Sequence, residues 1–580
     1  MQKLQGISVS PGIVIGEAVV AAHQGLQVPR QTIPRERIAD EVQRFRSAVE
    51  TTAKEIVRAR QSVVSQMGAH YGAIFDAHFA LVNDPSLVKE IEAQIERECY
   101  TSEYSVTQTM GRFSRLLRGL SDANLAQRAF DIQDIEDRLL QNLLGERRSK
   151  QFQMDRPAIL LAHNLTVSET ASLKPDLVLG FATEIGGSGS HTAIVAEALR
   201  IPAIVGAGEL LAHVSGGDTV ILDGEQGLVI LNPDEATKAR YERLLEKGAA
   251  HAIQLQTLRD LPAETTDGTC VELLGTIEFP QEVQQCREQG GGGIGLYRTE
   301  FLYLGAETAP GEDAHYEAYA NVLSAVGDGP VVARTFDLGA DKFPQMQPPE
   351  DEHNPCLGLR SLRLALRNRP MLRTQLRALL KASTLGDLRI MFPLVATLHE
   401  LRQAKTVLAD VMEDLEEEGV AFNRKIKVGM MVEIPSAVVL IRRFLPEVDF
   451  ISVGANDLTQ YTLAVDRDNK EVAPLFNPCD PSVLRLMSKA VRAADEANVP
   501  SSVCGQICNN PRNTMLLLGL GFRHLSVAPG AIPDVKRVCR GVSLEECQSI
   551  AKRAMAKDEA RDVETFLRVE WRKRFQPTED

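Results

Sequence analysis

Residues 4–20, LQGISVSPGIVIGEAVV, alternate apolar positions with turn formers and predict a strand, a turn and a second strand. Beyond Pro29 and Arg30 the period changes. Ile38, Val42, Phe45, Val49, Ala53, Ile56 and Val63 recur at three- and four-residue steps, the apolar stripe of an amphipathic helix. The same spacing runs through YGAIFDAHFALVNDPSLVKEIEAQI and LAQRAFDIQDIEDRLLQNLLG to about Gly145, which predicts a bundle of about four helices. From RPAILLAH to about residue 232, short apolar strands alternate with helices and glycine turns, an α/β pattern. The opening strands have no sheet of their own, so they are expected to join this later one, with the bundle inserted between. Residues 233–261 are charged and helix-favouring without strand signals, and read as a linker helix.

Beyond residue 262 eight short strand candidates follow in order: VELLGTI, GIGLYR, VVARTFD, LRIMFPLV, KVGMMVEI, DFISVG, PSSVCGQ and RHLSVAP. Helical segments separate most of them. Eight strands with helical crossovers over roughly 320 residues fit a (β/α)₈ barrel; a doubly wound open sheet is the competing topology. The polar residues favour the barrel. Arg298, Arg334, Glu433, Asn456, Asp457 and Cys504 fall at or just past the C-terminal ends of their strands, the face where barrels gather their chemistry. The expected architecture is α/β and multidomain. An α/β domain covers 1–29 and 147–232, a helical insertion 30–146, a linker 233–261 and a TIM barrel 262–580.

Composition narrows the class. A chain of 580 residues with 44% hydrophobic and 24% charged content is an ordinary globular protein of several domains. Its start, MQKLQGISVSPG, lacks the basic and apolar regions of a secretory signal, and nine scattered cysteines do not suggest a disulfide framework. A cytoplasmic location is expected. A net charge of −14 argues against nucleic acid as a generic partner, yet allows a small anion in a local basic pocket.

Taken singly, each charged strand end has a plain structural explanation. Together they make a less ordinary set. Guanidinium forks grip phosphate and carboxylate oxygens, and two carboxylates from separate strands suit Mg²⁺. The implied ligand is small, strongly anionic and phosphorylated. The glycine run 290–293 reads as a strand-entry turn in preference to a phosphate cradle. A second feature is GGSGSHTAIVAEALRIPAIVG, residues 186–206, where His191 stands between a glycine-serine turn and an apolar helix. It is either a passive loop histidine or a nucleophile that must reach beyond its own domain.

Over essentially its full length the chain resembles the enzyme I family of the bacterial sugar phosphotransferase system. The resemblance is carried by LQGISVSPGIVIGEA, IFDAHFALVNDPSL, HNLTVSETASL, the His191 segment, GIGLYRTEFLYLG, RTFDLGADK, NPCLGLRSLRL, IMFPLV, GMMVEIPSA and SVGANDLTQYTLAVDRDN, in that order. It implies that His191 takes the phosphoryl group of phosphoenolpyruvate and passes it to a histidine of the phosphocarrier protein HPr. Arg298, Arg334 and Arg467, with Arg360 added, would hold the substrate's phosphate and carboxylate. Glu433 and Asp457 would bind Mg²⁺, Asn456 would contact substrate, and Cys504 would protonate the departing enolpyruvate. The α/β domain would be the phosphohistidine domain, the helical insertion the docking platform for HPr, and the barrel the seat of a homodimer.

Four positions depart from the family pattern: Gly189 for Thr, Glu197 for a basic residue, Ala455 for Thr and Gln506 for Glu. They imply a transferase that is slowed or differently partnered. Two alternatives stand beside this reading. Pyruvate phosphate dikinase and phosphoenolpyruvate synthase share the phosphohistidine domain and barrel, but also need a nucleotide-binding domain, and the sequence has no nucleotide loop. A non-catalytic paralogue that senses phosphoenolpyruvate is the other.

Overall fold

The structure, a computed structural model, describes residues 1–21, 29–67, 72–118, 123–144, 156–165, 170, 173–174, 176–186, 201–303, 309–339, 354–467, 469 and 471–575. The chain divides into two compact units, Met1–Ala250 and His251–Asp580.

Eight strands of the first unit form one sheet. They are β1 (Gln2–Gln5), β2 (Ile7–Ser10), β3 (Ile13–Ala21), β4 (Ala158–Ala162), β5 (Val178–Thr183), β6 (Ala203–Val205), β7 (Thr219–Asp223) and β8 (Leu228–Leu231). Their order is β1-β8-β7-β3-β4-β5-β6-β2. The opening segment makes three strands where two were expected, because Gly6 and the Pro11-Gly12 pair each interrupt it. It does join the later sheet: β3 runs parallel to β4 and antiparallel to β7. Gly6 alone separates β1 from β2, yet they lie at opposite ends of the strand order. The sheet must therefore curl until its edges approach.

Between β3 and β4 the described residues form five helices: Ile38–Met67, Gly72–Val82, Pro85–Glu98, Ser102–Arg118 and Ala123–Leu144. About four were expected. The extra break is local chemistry. Asp84 caps helix Pro85–Glu98 by accepting from the N–H groups of Ser86 (2.7 Å) and Leu87 (3.0 Å), and Pro85 fills the first helical position, where no N–H is needed. Phe45, Ile56, Phe75, Ile91 and Ile135 are fully or almost fully buried at the centre of the bundle. The charged run after β8 forms helix Glu235–Thr257, which crosses the boundary between the units.

The second unit is a closed barrel of eight parallel strands: β9 (Glu272–Ile277), β10 (Ile294–Arg298), β11 (Val331–Arg334), β12 (Leu388–Phe392), β13 (Lys427–Val432), β14 (Phe450–Gly454), β15 (Ser501–Cys504) and β16 (His524–Val527). Each lies within one of the eight candidates read from the sequence. The pairing of β16 with β9 through His524 and Glu272 closes the barrel and excludes the open sheet. Parallel strands are buried on both faces, which is why they read as unbroken apolar runs. Leu296, Val332, Met391, Met431, Phe450 and Cys504, one from each of six successive strands, form a separate buried cluster that fills the interior. The glycine run 290–293 leads into the N-terminal end of β10, opposite the catalytic face of such barrels, so it is a strand-entry turn. Among the described residues no helix is long and apolar enough to cross a membrane.

Candidate active site

The strand register brings the charged residues together at one mouth. Arg298 and Arg334 end β10 and β11 and lie opposite one another in the ladder. Glu433 directly follows β13, and Cys504 ends β15 beside Gly454. Asn456 and Asp457 occupy the first turn of helix Ala455–Leu463, just past β14. Arg360 precedes helix Ser361–Arg367 and bridges to Gly339. All seven barrel residues expected to meet substrate or metal, and Cys504, are within the described residues; His191, Gly189 and Glu197 lie outside them.

Two carboxylates not singled out in the sequence organise the arginines. Glu300 Oε1 accepts from Arg334 Nη2 (2.9 Å) and from the Asp337 N–H (2.7 Å). Asp337 spans both neighbours, Oδ2 standing 3.2 Å from Arg334 Nη1 and Oδ1 accepting from Arg360 Nη2 at 3.0 Å. Burial outweighs Arg334 at Glu300 and leaves its carboxyl above the usual range. At Asp337 burial pushes up too, but Arg334 and Arg360 together outweigh it and hold the group below that range. Burial disfavours the charge of Arg334 as well; Glu300, Asp337, Glu433 and Asp457 overcome it and keep the guanidinium firmly protonated. Among the described residues the Nε atoms of Arg298, Arg334 and Arg360 are buried without a hydrogen-bond acceptor. Donor capacity therefore remains for an oxyanion after the internal ion pairs are made. Arg298 pairs with Glu278 and is about one-third exposed, so it stands at the rim.

Glu433 and Asp457 form the acidic side. Glu433 is fully buried, and its Oε1 accepts from the Leu394 N–H at 2.6 Å. Leu394 holds a left-handed φ of 51° to aim that N–H, a conformation that costs an ordinary residue roughly 1–2 kcal/mol. Burial, then the neighbouring Asp457 and Asp337 carboxylates, pushes the Glu433 carboxyl well above its ordinary range; Arg334 and Leu394 pull the other way. Among the described residues Glu433 Oε2 and Asp457 Oδ1 have no hydrogen-bond donor, and Arg467 Nη2 stands 3.9 Å from the latter. A Cβ on Gly454 would meet Glu433 Oε2 at 2.6 Å, so a side chain there would close the space at this oxygen. Two buried oxygens lacking donors fit a small divalent cation, which commonly takes one or two protein carboxylates and completes its shell with substrate and water. Among the described residues no group of three or more His, Cys, Asp or Glu side chains is arranged to hold a metal by itself.

Cys504 is buried at the end of β15. Its Sγ lies 3.6 Å from the Val453 carbonyl and accepts a weak contact from Ser452 Oγ at 3.8 Å. Burial above all pushes the thiol up to about 11, with Glu433 adding to the effect. The sulfur therefore keeps its proton at neutral pH. Asn456 Oδ1 accepts from the Gln506 N–H at 3.0 Å. Between these residues Gly505 takes a φ of +114°, where a Cβ would meet Asn456 Oδ1 at 2.8 Å. Gln506 is exposed and enters the site through this backbone bond, whereas Ala455 is buried. The arrangement can grip a phosphorylated carboxylate with arginines, seat a cation on its acidic side and offer a neutral thiol as acid.

Three segments match protein families: residues 5–128 the PEP-utilising enzyme, N-terminal family; 154–227 its mobile domain; and 252–544 its PEP-binding domain. The phosphoenolpyruvate-protein phosphotransferase of Bacillus sp. (strain S) is 40% identical over 97% of this chain and 97% of its own. The protein of that name from Staphylococcus aureus is 39% identical over 96% of this chain and 97% of its own. A solution structure described as Enzyme I (nEIt) aligns with 42% of this chain and 99% of its own, at 36% identity and a TM-score of 0.36. Full-length identity at this level, with all three domain families in order, shows that the chain belongs to the phosphoenolpyruvate-protein phosphotransferases, a family of PEP-utilising enzymes.

Proposed function

We propose that this chain moves the phosphoryl group of phosphoenolpyruvate to His191 and then to a histidine of an HPr-type phosphocarrier, releasing pyruvate. The observation that carries the reading is the convergence on one barrel mouth of Arg298, Arg334, Arg360 and Arg467 with two buried carboxylates and a protonated thiol.

In this reading Arg334 and Arg360, braced by Asp337, hold the substrate's phosphate and carboxylate with Arg298, Arg467 and Asn456. Glu433 and Asp457 hold Mg²⁺, which when bound offsets negative charge on the phosphoryl oxygens. Phosphoryl transfer demands positioning and charge neutralisation above all, and these residues supply both. The His191 imidazole, ordinarily neutral above about pH 6.5, needs no strong base to attack phosphorus. A phosphorus–nitrogen bond forms as the bond to the enol oxygen breaks, and the enolate carbon takes the Cys504 proton to give pyruvate. The thiolate regains its proton from solvent. In the second half the phosphorus–nitrogen bond breaks as a carrier histidine attacks.

The domain roles follow. Residues 1–29 with 147–232 carry His191, 30–146 dock the carrier, 233–261 link, and 262–580 bind phosphoenolpyruvate and pair two copies of the chain. A lactate dehydrogenase-coupled assay on the full chain tests the reading. Without a carrier, pyruvate should stop at about one equivalent per chain as His191 is charged; continued release should need phosphoenolpyruvate, Mg²⁺ and a histidine phosphocarrier, in amounts equal to the carrier phosphorylated. Binding of phosphoenolpyruvate without pyruvate release would contradict it. Sedimentation velocity of the same sample reads the dimer directly.

A further inference from the structure

A buried polar cluster lies behind the arginine-bearing strand ends, and its central residue, Gln375, belongs to no motif singled out above. Helix Arg369–Ala382 buries Met371, Leu372, Gln375, Leu376 and Leu379 along one face, and Gln375 is the polar member of that stripe. Its amide makes three hydrogen bonds. Nε2 donates to Thr299 Oγ1 (2.9 Å) and to Tyr319 Oη (3.1 Å), while Oε1 accepts from the Phe336 N–H (3.1 Å). Thr299 Oγ1 in turn donates to the Arg334 carbonyl at 2.8 Å. The Phe336 N–H admits only an acceptor, so the amide orientation is fixed by its partners.

The bonds extend further back. Tyr319 Oη lies 2.9 Å from His315 Nδ1, and His315 Nε2 lies 3.1 Å from Tyr303 Oη. Burial lowers the His315 pKa to about 4, so the ring between the two phenols is neutral at physiological pH. Gln375, Thr299, Phe336 and His315 are fully buried, and Tyr319 almost so.

What the cluster touches gives it meaning. Thr299 lies between Arg298 and Glu300, and Phe336 between Arg334 and Asp337, one residue removed from the former. The β10–β11 ladder ends at the Arg298–Arg334 pair. Past that pair the two segments are joined by side chains in place of a backbone ladder: Glu300 at the mouth, and Thr299 with Gln375 behind it. One amide thus holds both segments that carry Arg298, Glu300, Arg334 and Asp337.

We propose that Gln375 is a positioning residue for phosphoenolpyruvate binding: through Thr299 and Phe336 it fixes the spacing of the Arg298 and Arg334 strand ends. The inference rests on the function proposed above. Gln375 touches no substrate; it acts through the backbone that carries the arginines, where a displacement of about 1 Å can cost a hundredfold in rate.

The test compares three full-length variants with the wild type by thermal melting, by calorimetric titration with phosphoenolpyruvate and Mg²⁺, and by steady-state pyruvate release. Gln375→Met removes the amide at similar volume. Thr299→Val removes only the hydroxyl link and provides a milder case. Leu379→Ala, on the same buried stripe, supplies a loss of stability without touching the network. Gln375→Met is expected to raise KM and Kd for phosphoenolpyruvate about tenfold to a hundredfold, and Thr299→Val by about threefold to tenfold, with kcat changed less than KM. Leu379→Ala should leave KM within twofold of wild type. The proposal is overturned if Gln375→Met or Thr299→Val, whichever folds, changes KM no more than Leu379→Ala does. A wild type that neither binds nor turns over phosphoenolpyruvate overturns the proposed function itself, which is a separate outcome.

Discussion

The barrel mouth and the helical bundle each hold a glutamate whose carboxyl is pushed upward, fully buried at the mouth and half-buried in the bundle, and they do so under opposite conditions. In the bundle, burial raises Glu136 to about 7, with no countercharge among the causes of its shift. At the mouth, Glu433 is raised by burial and then by Asp457 and Asp337, against the pull of Arg334. The first is a single desolvated carboxyl opposed only by the Thr107 hydroxyl. The second belongs to a cluster in which, among the described residues, two carboxylate oxygens and three guanidinium Nε atoms remain without hydrogen-bond partners after the internal pairs are made. A perturbed carboxyl alone does not mark a reaction centre. Convergent unsatisfied charge does.

The comparison can be broken most forcefully at Arg334. Arg334→Met removes a guanidinium held by Glu300 and Asp337, and kcat/KM for phosphoenolpyruvate should fall about 10²–10³-fold, as for loss of one oriented donor to a developing oxyanion. Glu136→Gln should leave that parameter within twofold. Equal losses from both variants would erase the distinction between the two regions.

Cys504 is expected to give the next largest effect. Cys504→Ala should slow pyruvate formation about 10²-fold, the lower range for a general acid. The wild-type proton-transfer step should hold its rate through pH 9, where an ordinary thiol has begun to ionise. It should fall only as pH nears 11, because the buried sulfur keeps its proton that far. Stopped-flow measurement of pyruvate release across pH 7–11 reads the difference; a decline centred near 8.5 would show an ordinary exposed thiol.

The smallest effect sharpens the other side. For Glu136 the folded pKa lies above the unfolded value, so the native state binds the extra proton. Its stability should decline as pH rises from about 4.5 to about 7 and then level off. Glu136→Gln should therefore stabilise the chain at pH 8 by an amount on the order of 2 kcal/mol and change little at pH 4. Urea unfolding at the two pH values measures it.

The two regions also differed in how much their sequences disclosed. The barrel strands were legible because strands buried on both faces leave short apolar runs, with the functional charges punctuating their C-terminal ends. The bundle's count was missed at Asp84 and Pro85, since the apolar spacing continues across a cap that stops the helix. Glu300 and Asp337 were within view, two and three residues beyond Arg298 and Arg334. Their pairing, however, depends on the β10–β11 register, which no local pattern contains. Gln375 left a fainter sign, one amide on an apolar helical stripe. Leu394 left none, because its left-handed turn exists to serve a glutamate 39 residues away.

The central claim is that the barrel mouth charges one imidazole. Brief incubation of the full chain with ³²P-labelled phosphoenolpyruvate and Mg²⁺, followed by peptide mapping, tests it most directly. Acid-labile, base-stable label on the His191 peptide, lost in His191→Ala and strongly reduced in Arg334→Met, is the predicted result. Label on another residue, or none while phosphoenolpyruvate remains bound, would contradict the account.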